Sequence, residues 1–101
     1  MATQRAIDEA DIRRRIDKLV DAVRAMDFEG VKSIYAPDLV SFDIVPPLRH
    51  LGAEKKWSNW AEVFTAYQPP LGYEIRDLTI AVADDVAFGR SLNRISGTLK
   101  N

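Results

Sequence analysis

The stretch Tyr35-Ala36-Pro37-Asp38-Leu39-Val40-Ser41-Phe42-Asp43-Ile44-Val45-Pro46-Pro47-Leu48-Arg49-His50-Leu51-Gly52 decides how this chain is read. A helix ends at Tyr35, because Pro37 pushes the residue before it out of the helical region. A short strand runs from Leu39 to about Ile44 and carries one carboxylate, Asp43, among apolar neighbours. Pro46-Pro47 then turns a corner, since neither residue can donate a ladder hydrogen bond. Gly52 opens a second apolar helix. A carboxylate so placed stands at the mouth of whatever cavity the helices and the strand enclose.

Toward the N-terminus, residues from Asp8 to Met26 read as an amphipathic helix. Ile12, Ile16, Leu19, Val20 and Val23 recur at helical spacing, and Arg13, Arg14, Asp17, Lys18, Asp21 and Arg24 fill the other face. Asp8 is the expected N-cap, and Asp11 sits in the first turn, where the helix dipole favours an anion. Asp11 and Arg15 stand at i,i+4, a pairing worth about 0.2–0.5 kcal/mol. Asp27 is the expected N-cap of a second, short helix that buries Val31, Ile34 and Tyr35, and Gly30 weakens it.

Toward the C-terminus, a third helix runs from Ala53 to Tyr67. Trp57, Trp60, Val63, Phe64 and Tyr67 form its apolar stripe, with Lys55, Lys56, Asn59 and Glu62 facing water. Pro69-Pro70 ends it and Gly72 begins the next element. From Tyr73 the period becomes two, with Leu78, Ile80 and Val82 alternating with Thr79 and Ala81. Asp84-Asp85 makes a hairpin turn. The return strand, Val86 to Leu99, carries Val86, Phe88, Arg90, Leu92 and Arg94 on one face and Ala87, Gly89, Ser91, Asn93 and Ile95 on the other. The order is helix, helix, strand, helix, long hairpin. Helices on one side of an antiparallel sheet make this an α+β chain, read as one domain over residues 1–101. Lys100-Asn101 looks like a tight turn whose second strand is missing, which leaves the last strand as an unprotected edge.

Composition narrows the partners. Fourteen basic and fifteen acidic residues leave a net charge of −1, which predicts no nucleic-acid partner. No apolar run reaches membrane-spanning length and the N-terminus lacks a signal-peptide core, so the expected setting is cytoplasmic, with no membrane partner. With no cysteine and one histidine, a zinc site would have to be built mostly from carboxylates, and neither a metal nor a cofactor is expected.

Tyr35-Ala36 followed by Asp38, Asp43 and then Gly52 before an aromatic helix resembles the ketosteroid isomerase branch of the NTF2-like superfamily, to which the SnoaL-like proteins also belong. The spacing from Asp27 through Trp60 matches without gaps, and the elements on either side match in order. The resemblance implies a cone of helices on a curved antiparallel sheet, incomplete here because the family closes its sheet with two further strands. The fold hosts isomerases, cyclases, hydrolases, dehydratases and binding modules without chemistry, so it does not name an activity. In ketosteroid isomerase one carboxylate shuttles a proton while a tyrosine and a protonated aspartic acid stabilise the enolate oxygen. The resemblance puts Asp43 at the shuttle position and Tyr35 and Trp60 at aromatic pocket positions. The oxyanion tyrosine maps to Leu19, which has no proton to donate, so a steroid-isomerase mechanism is unsupported.

The leading expectation is a SnoaL-like small-molecule pocket protein that takes a small apolar or polycyclic molecule. In enzymatic form it would be a cofactor-free isomerase, cyclase or hydrolase with Asp43 as proton shuttle. The rival is a non-catalytic ligand-binding or dimerisation module. Desolvation in a dry pocket would make Asp43 a usable acid or base. A solvated strand-end aspartate is the competing reading. His50 is a candidate ligand contact or acid/base partner across the Pro-Pro loop, against a loop histidine near water. Tyr35 needs a hydrogen-bond partner if buried, and Trp60 is either core or cavity wall. Phe88 and Leu92, rimmed by Arg90 and Arg94, predict a homodimer formed through the sheet.

Overall fold

The computed structural model describes residues 3–42 and 46–100. Its elements are α1 (Gln4–Arg24), α2 (Phe28–Lys32), β1 (Val40–Phe42), β2 (Arg49–Leu51), α3 (Ala53–Ala66), β3 (Tyr67–Val82) and β4 (Ala87–Leu99). The architecture is α+β, as the pattern of elements predicts. Among the described residues the strands form two small open antiparallel sheets, β1–β2 and β3–β4.

Helix α1 begins four residues before the expected Asp8. Thr3 is its N-cap, with Oγ1 accepting from the Ala6 N–H at 3.1 Å. Asp11 pairs with Arg14, one position short of the expected Arg15. The far end closes in a Schellman motif: Asp27 N–H donates to Ala22 O and Met26 N–H to Val23 O, with Met26 at φ 53°. Asp27 then caps α2 as expected, its carboxylate accepting from Gly30 N–H at 3.1 Å. A Cβ on Gly30 would lie 2.6 Å from that carboxylate and 3.1 Å from Ala22 Cβ. Gly30 therefore makes room for the cap and for the close approach of α1, a gain that offsets its poor helix propensity.

Two features of the strands differ from expectation. First, the segment after Pro46-Pro47 is a strand. Val40, Ser41 and Phe42 pair with Leu51, His50 and Arg49, so the proline corner lies within the connection of a hairpin. The expected extension of β1 to Ile44 lies outside the described residues. Second, β3 starts at Tyr67, opposite Leu99, well before the expected change of period at Tyr73. Pro69 and Pro70 are tolerated because the ladder is interrupted between Gln68 and Gly72, and prolines in strands are confined to such irregularities. A second irregularity, between Arg76 and Thr79, holds Asp77 at φ 55°. The hairpin closes over Asp84-Asp85, with Ala83 N–H donating to Val86 O at 2.8 Å.

Ala22, Val23, Val31, Leu71 and Tyr73 form the buried core, with Leu19, Val20, Tyr35, Trp60, Val63, Phe64 and Ile75 packed around them. Helix α1 lies along β3, and Arg24 in its last turn donates to Tyr73 O at 2.9 Å. Helix α3 packs on α2, β2 and the inner face of β3. The N-terminus of α3 is held by the preceding loop: Gly52 N–H donates to Leu39 O and Ala53 N–H to Pro37 O.

Candidate functional site

Trp60 organises the space between α3 and the β3–β4 hairpin. Its indole N–H donates to the Tyr35 hydroxyl at 2.9 Å. Its ring meets Tyr73 edge-on, with centroids 5.7 Å apart and planes at 86°, and leans on Phe64 at 5.9 Å. Three aromatic side chains thus fix one half-buried indole. That indole lines a cavity of about 210 Å³ with Lys56, Asn59, Val63, Tyr73, Asn93 and Ile95.

Burial pushes the Tyr35 phenol above its ordinary value. The Trp60 N–H that it accepts draws it partly back, and Tyr73 nearby pushes it up again. Burial likewise raises the Tyr73 phenol, against a lowering hydrogen bond with the Asn93 side chain. Both phenols are therefore neutral at pH 7 and serve as hydrogen-bonding groups, with no role as bases. Asn93 is itself held by Ser91, whose Oγ donates to Asn93 Oδ1 at 2.6 Å.

A second cavity of about 490 Å³ adjoins the first. Pro46, Pro47, His50, Lys55, Glu62 and Ala66 line it, and Asn59 and Val63 belong to both, so the two lie side by side along α3. His50 is not the water-facing loop histidine of the competing reading. At 8% exposure it is buried, because the middle residue of β2 points inward while Arg49 and Leu51 point out.

Of the residues singled out in the sequence, Tyr35 and Trp60 come into direct contact, and Tyr35 acts on the cavity through the indole that it holds. His50 opens on the neighbouring cavity. Asp43 lies outside the described residues. Trp57, expected in the same stripe as Trp60, turns toward α2, where the Lys32 ammonium stands 4.9 Å from its ring centroid.

The residues that sequence reasoning missed are Lys56, Asn59, Tyr73, Asn93 and Ile95. Lys56 and Asn59 were expected in water. They line the cavity because Lys56, Asn59, Trp60 and Val63 follow at i, i+3, i+4 and i+7, one face of a helix. That phase was readable, but their polarity masked it. Tyr73, Asn93 and Ile95 fall on the inner sheet face, with Tyr73 opposite Ile95 and Ile75 opposite Asn93.

Among the described residues, no group of three or more histidines or carboxylates is placed to hold a metal ion. No described helix is long and apolar enough to cross a membrane.

Residues 12–100 match the family model of the SnoaL-like domain, and the chain belongs to that family. A solved structure, an NTF2-like protein of unknown function from Pseudomonas putida KT2440, is similar at 31% sequence identity and a TM-score of 0.81. The similarity covers 90% of this chain and 64% of that one, so this chain spans just under two thirds of that protein's length. No functionally curated protein matches the sequence.

Proposed function

We propose that this SnoaL-like chain binds a small, largely apolar molecule in the cavity beside Trp60. One observation carries the reading: an indole restrained by Tyr35, Tyr73 and Phe64 forms a wall of an open cavity. Ligand cavities combine such rigid aromatic walls with a few polar groups that fix orientation. Among the described residues no carboxylate lines this cavity. The enzymatic form of the proposal, a cofactor-free isomerase, cyclase or hydrolase, assigns the proton shuttle to Asp43.

N-phenyl-1-naphthylamine, a neutral fluorophore that brightens in apolar surroundings, tests the reading. Saturable enhancement that is lost in Ile95→Glu supports it, since Ile95 is half-exposed and the new charge lies on the cavity wall. Equal enhancement in both proteins contradicts it.

The outer face of the hairpin supports a second proposal, self-association through the sheet. Phe88 is 76% and Leu92 65% exposed on that face. Arg94 and its cross-strand partner Glu74 give the rim both signs of charge, which a two-fold copy can pair.

A further inference from the structure

The face that α3 turns to the cavity is apolar at Trp60 and Val63 and polar at Lys56 and Asn59. Lys56 is half-buried, and it is the one charged residue lining this cavity among the described residues. It has no ion-pair partner among them. An ammonium beside an apolar wall loses hydration, and an anion brought to it offsets that loss. The neighbouring cavity differs in this respect, because there Lys55 is accompanied by Glu62.

The amides extend the same preference. Asn93 Oδ1 is engaged by Ser91 Oγ and one amide N–H by the Tyr73 phenol, which leaves the second Asn93 amide N–H as its remaining polarity. Asn59 brings a second amide from α3. Tyr73 stays a neutral phenol, so it adds no negative charge that would repel an acid.

Resting on the binding reading above, we infer that the ligand is a carboxylic acid with an aromatic or apolar body. The body lies against Trp60, Val63 and Ile95. The carboxylate is held by the Lys56 ammonium, with the Asn59 and Asn93 amides as further donors. The chemistry selects an anion at one end and a planar hydrocarbon at the other.

The test uses three probes with one body: 1-naphthylacetate, 2-(1-naphthyl)ethanol and 2-(1-naphthyl)ethylamine. Binding is followed at low salt by the shift of the Trp60 indole N–H resonance, identified with a Trp57→Phe variant. The acid is expected to bind about tenfold tighter than the alcohol, the difference that one charge-assisted hydrogen bond supplies. Lys56→Gln should bring the acid to the alcohol's affinity and leave the alcohol unchanged, while Lys56→Arg keeps the preference. Equal affinity of acid and alcohol, or a preference for the amine, overturns the acid assignment and leaves the binding reading standing. An acid preference that survives Lys56→Gln overturns the role of Lys56. If none of the probes moves the Trp60 resonance, both readings fall.

Discussion

The Trp60 indole N–H donates to the Tyr35 hydroxyl at 2.9 Å and so ties α3 to the segment that follows α2. Both groups are partly withdrawn from water, so neither can be removed without leaving the other short of a partner. Tyr35→Phe should cost about 1–3 kcal/mol, the penalty of an unpaired buried donor. Trp60→Ala should cost roughly 3–5 kcal/mol, because a large ring is lost as well. Urea denaturation of both single variants and the double variant checks this. The double variant should be more stable than the sum of the two losses predicts, since the residues are in contact.

Alkaline pH should weaken the fold. The ordinary phenol value is 10.0, and both Tyr35 and Tyr73 are raised above it by burial. Between 10 and the folded values the unfolded chain has lost protons that the folded chain retains, so stability falls as pH rises. Below pH 10 this contribution is complete. Thermal melts above pH 10 should show a falling midpoint, with a shallower fall in Tyr35→Phe.

Gly52 stands at φ 88° and ψ 157°, a conformation reserved in practice for glycine. A Cβ there would come no nearer than 3.7 Å to Pro37 O, so the penalty of Gly52→Ala is conformational and not steric. A loss of roughly 1–3 kcal/mol is expected in a chemical melt. Because Gly52 also positions the start of α3, the variant should weaken probe binding at the Trp60 cavity.

Self-association has a direct check. Sedimentation velocity at micromolar concentration should give twice the chain mass for the wild-type protein. Phe88→Glu should sediment as a monomer, since it places a charge in the centre of the exposed apolar stripe. A wild-type monomer contradicts the proposed contact.

The sequence was most legible where one physical signal acted alone. Asp27 before a short apolar helix and Asp84-Asp85 between alternating strands each matched the structure. Helix α2, by contrast, ends at Lys32, three residues before the Tyr35 end expected from Pro37, and Ile34 and Tyr35 lie in the turn that follows it. Legibility failed where signals competed. Arg49-His50-Leu51 has no strand signature, and its pairing with β1 comes from tertiary context. Pro69-Pro70 reads as a breaker, yet the ladder's irregularity absorbs it inside β3. Lys56 and Asn59 look solvated by residue type, while helical phase puts them beside Trp60. Tyr35 and Trp60 were visible as site candidates, but Tyr73 and Asn93 emerged only once strand register set which face points inward.

The chain holds two tryptophans, so two indole N–H resonances report on the central claim. A ¹⁵N correlation spectrum recorded with saturating 2-(1-naphthyl)ethanol is the most direct test. The Trp60 resonance should shift, because its ring lines the cavity and its N–H is bonded to Tyr35. The Trp57 resonance should stay in place, because its ring faces Lys32 on α2. Equal shifts of both indoles, or a stationary Trp60, would contradict the assignment of this cavity as the binding site.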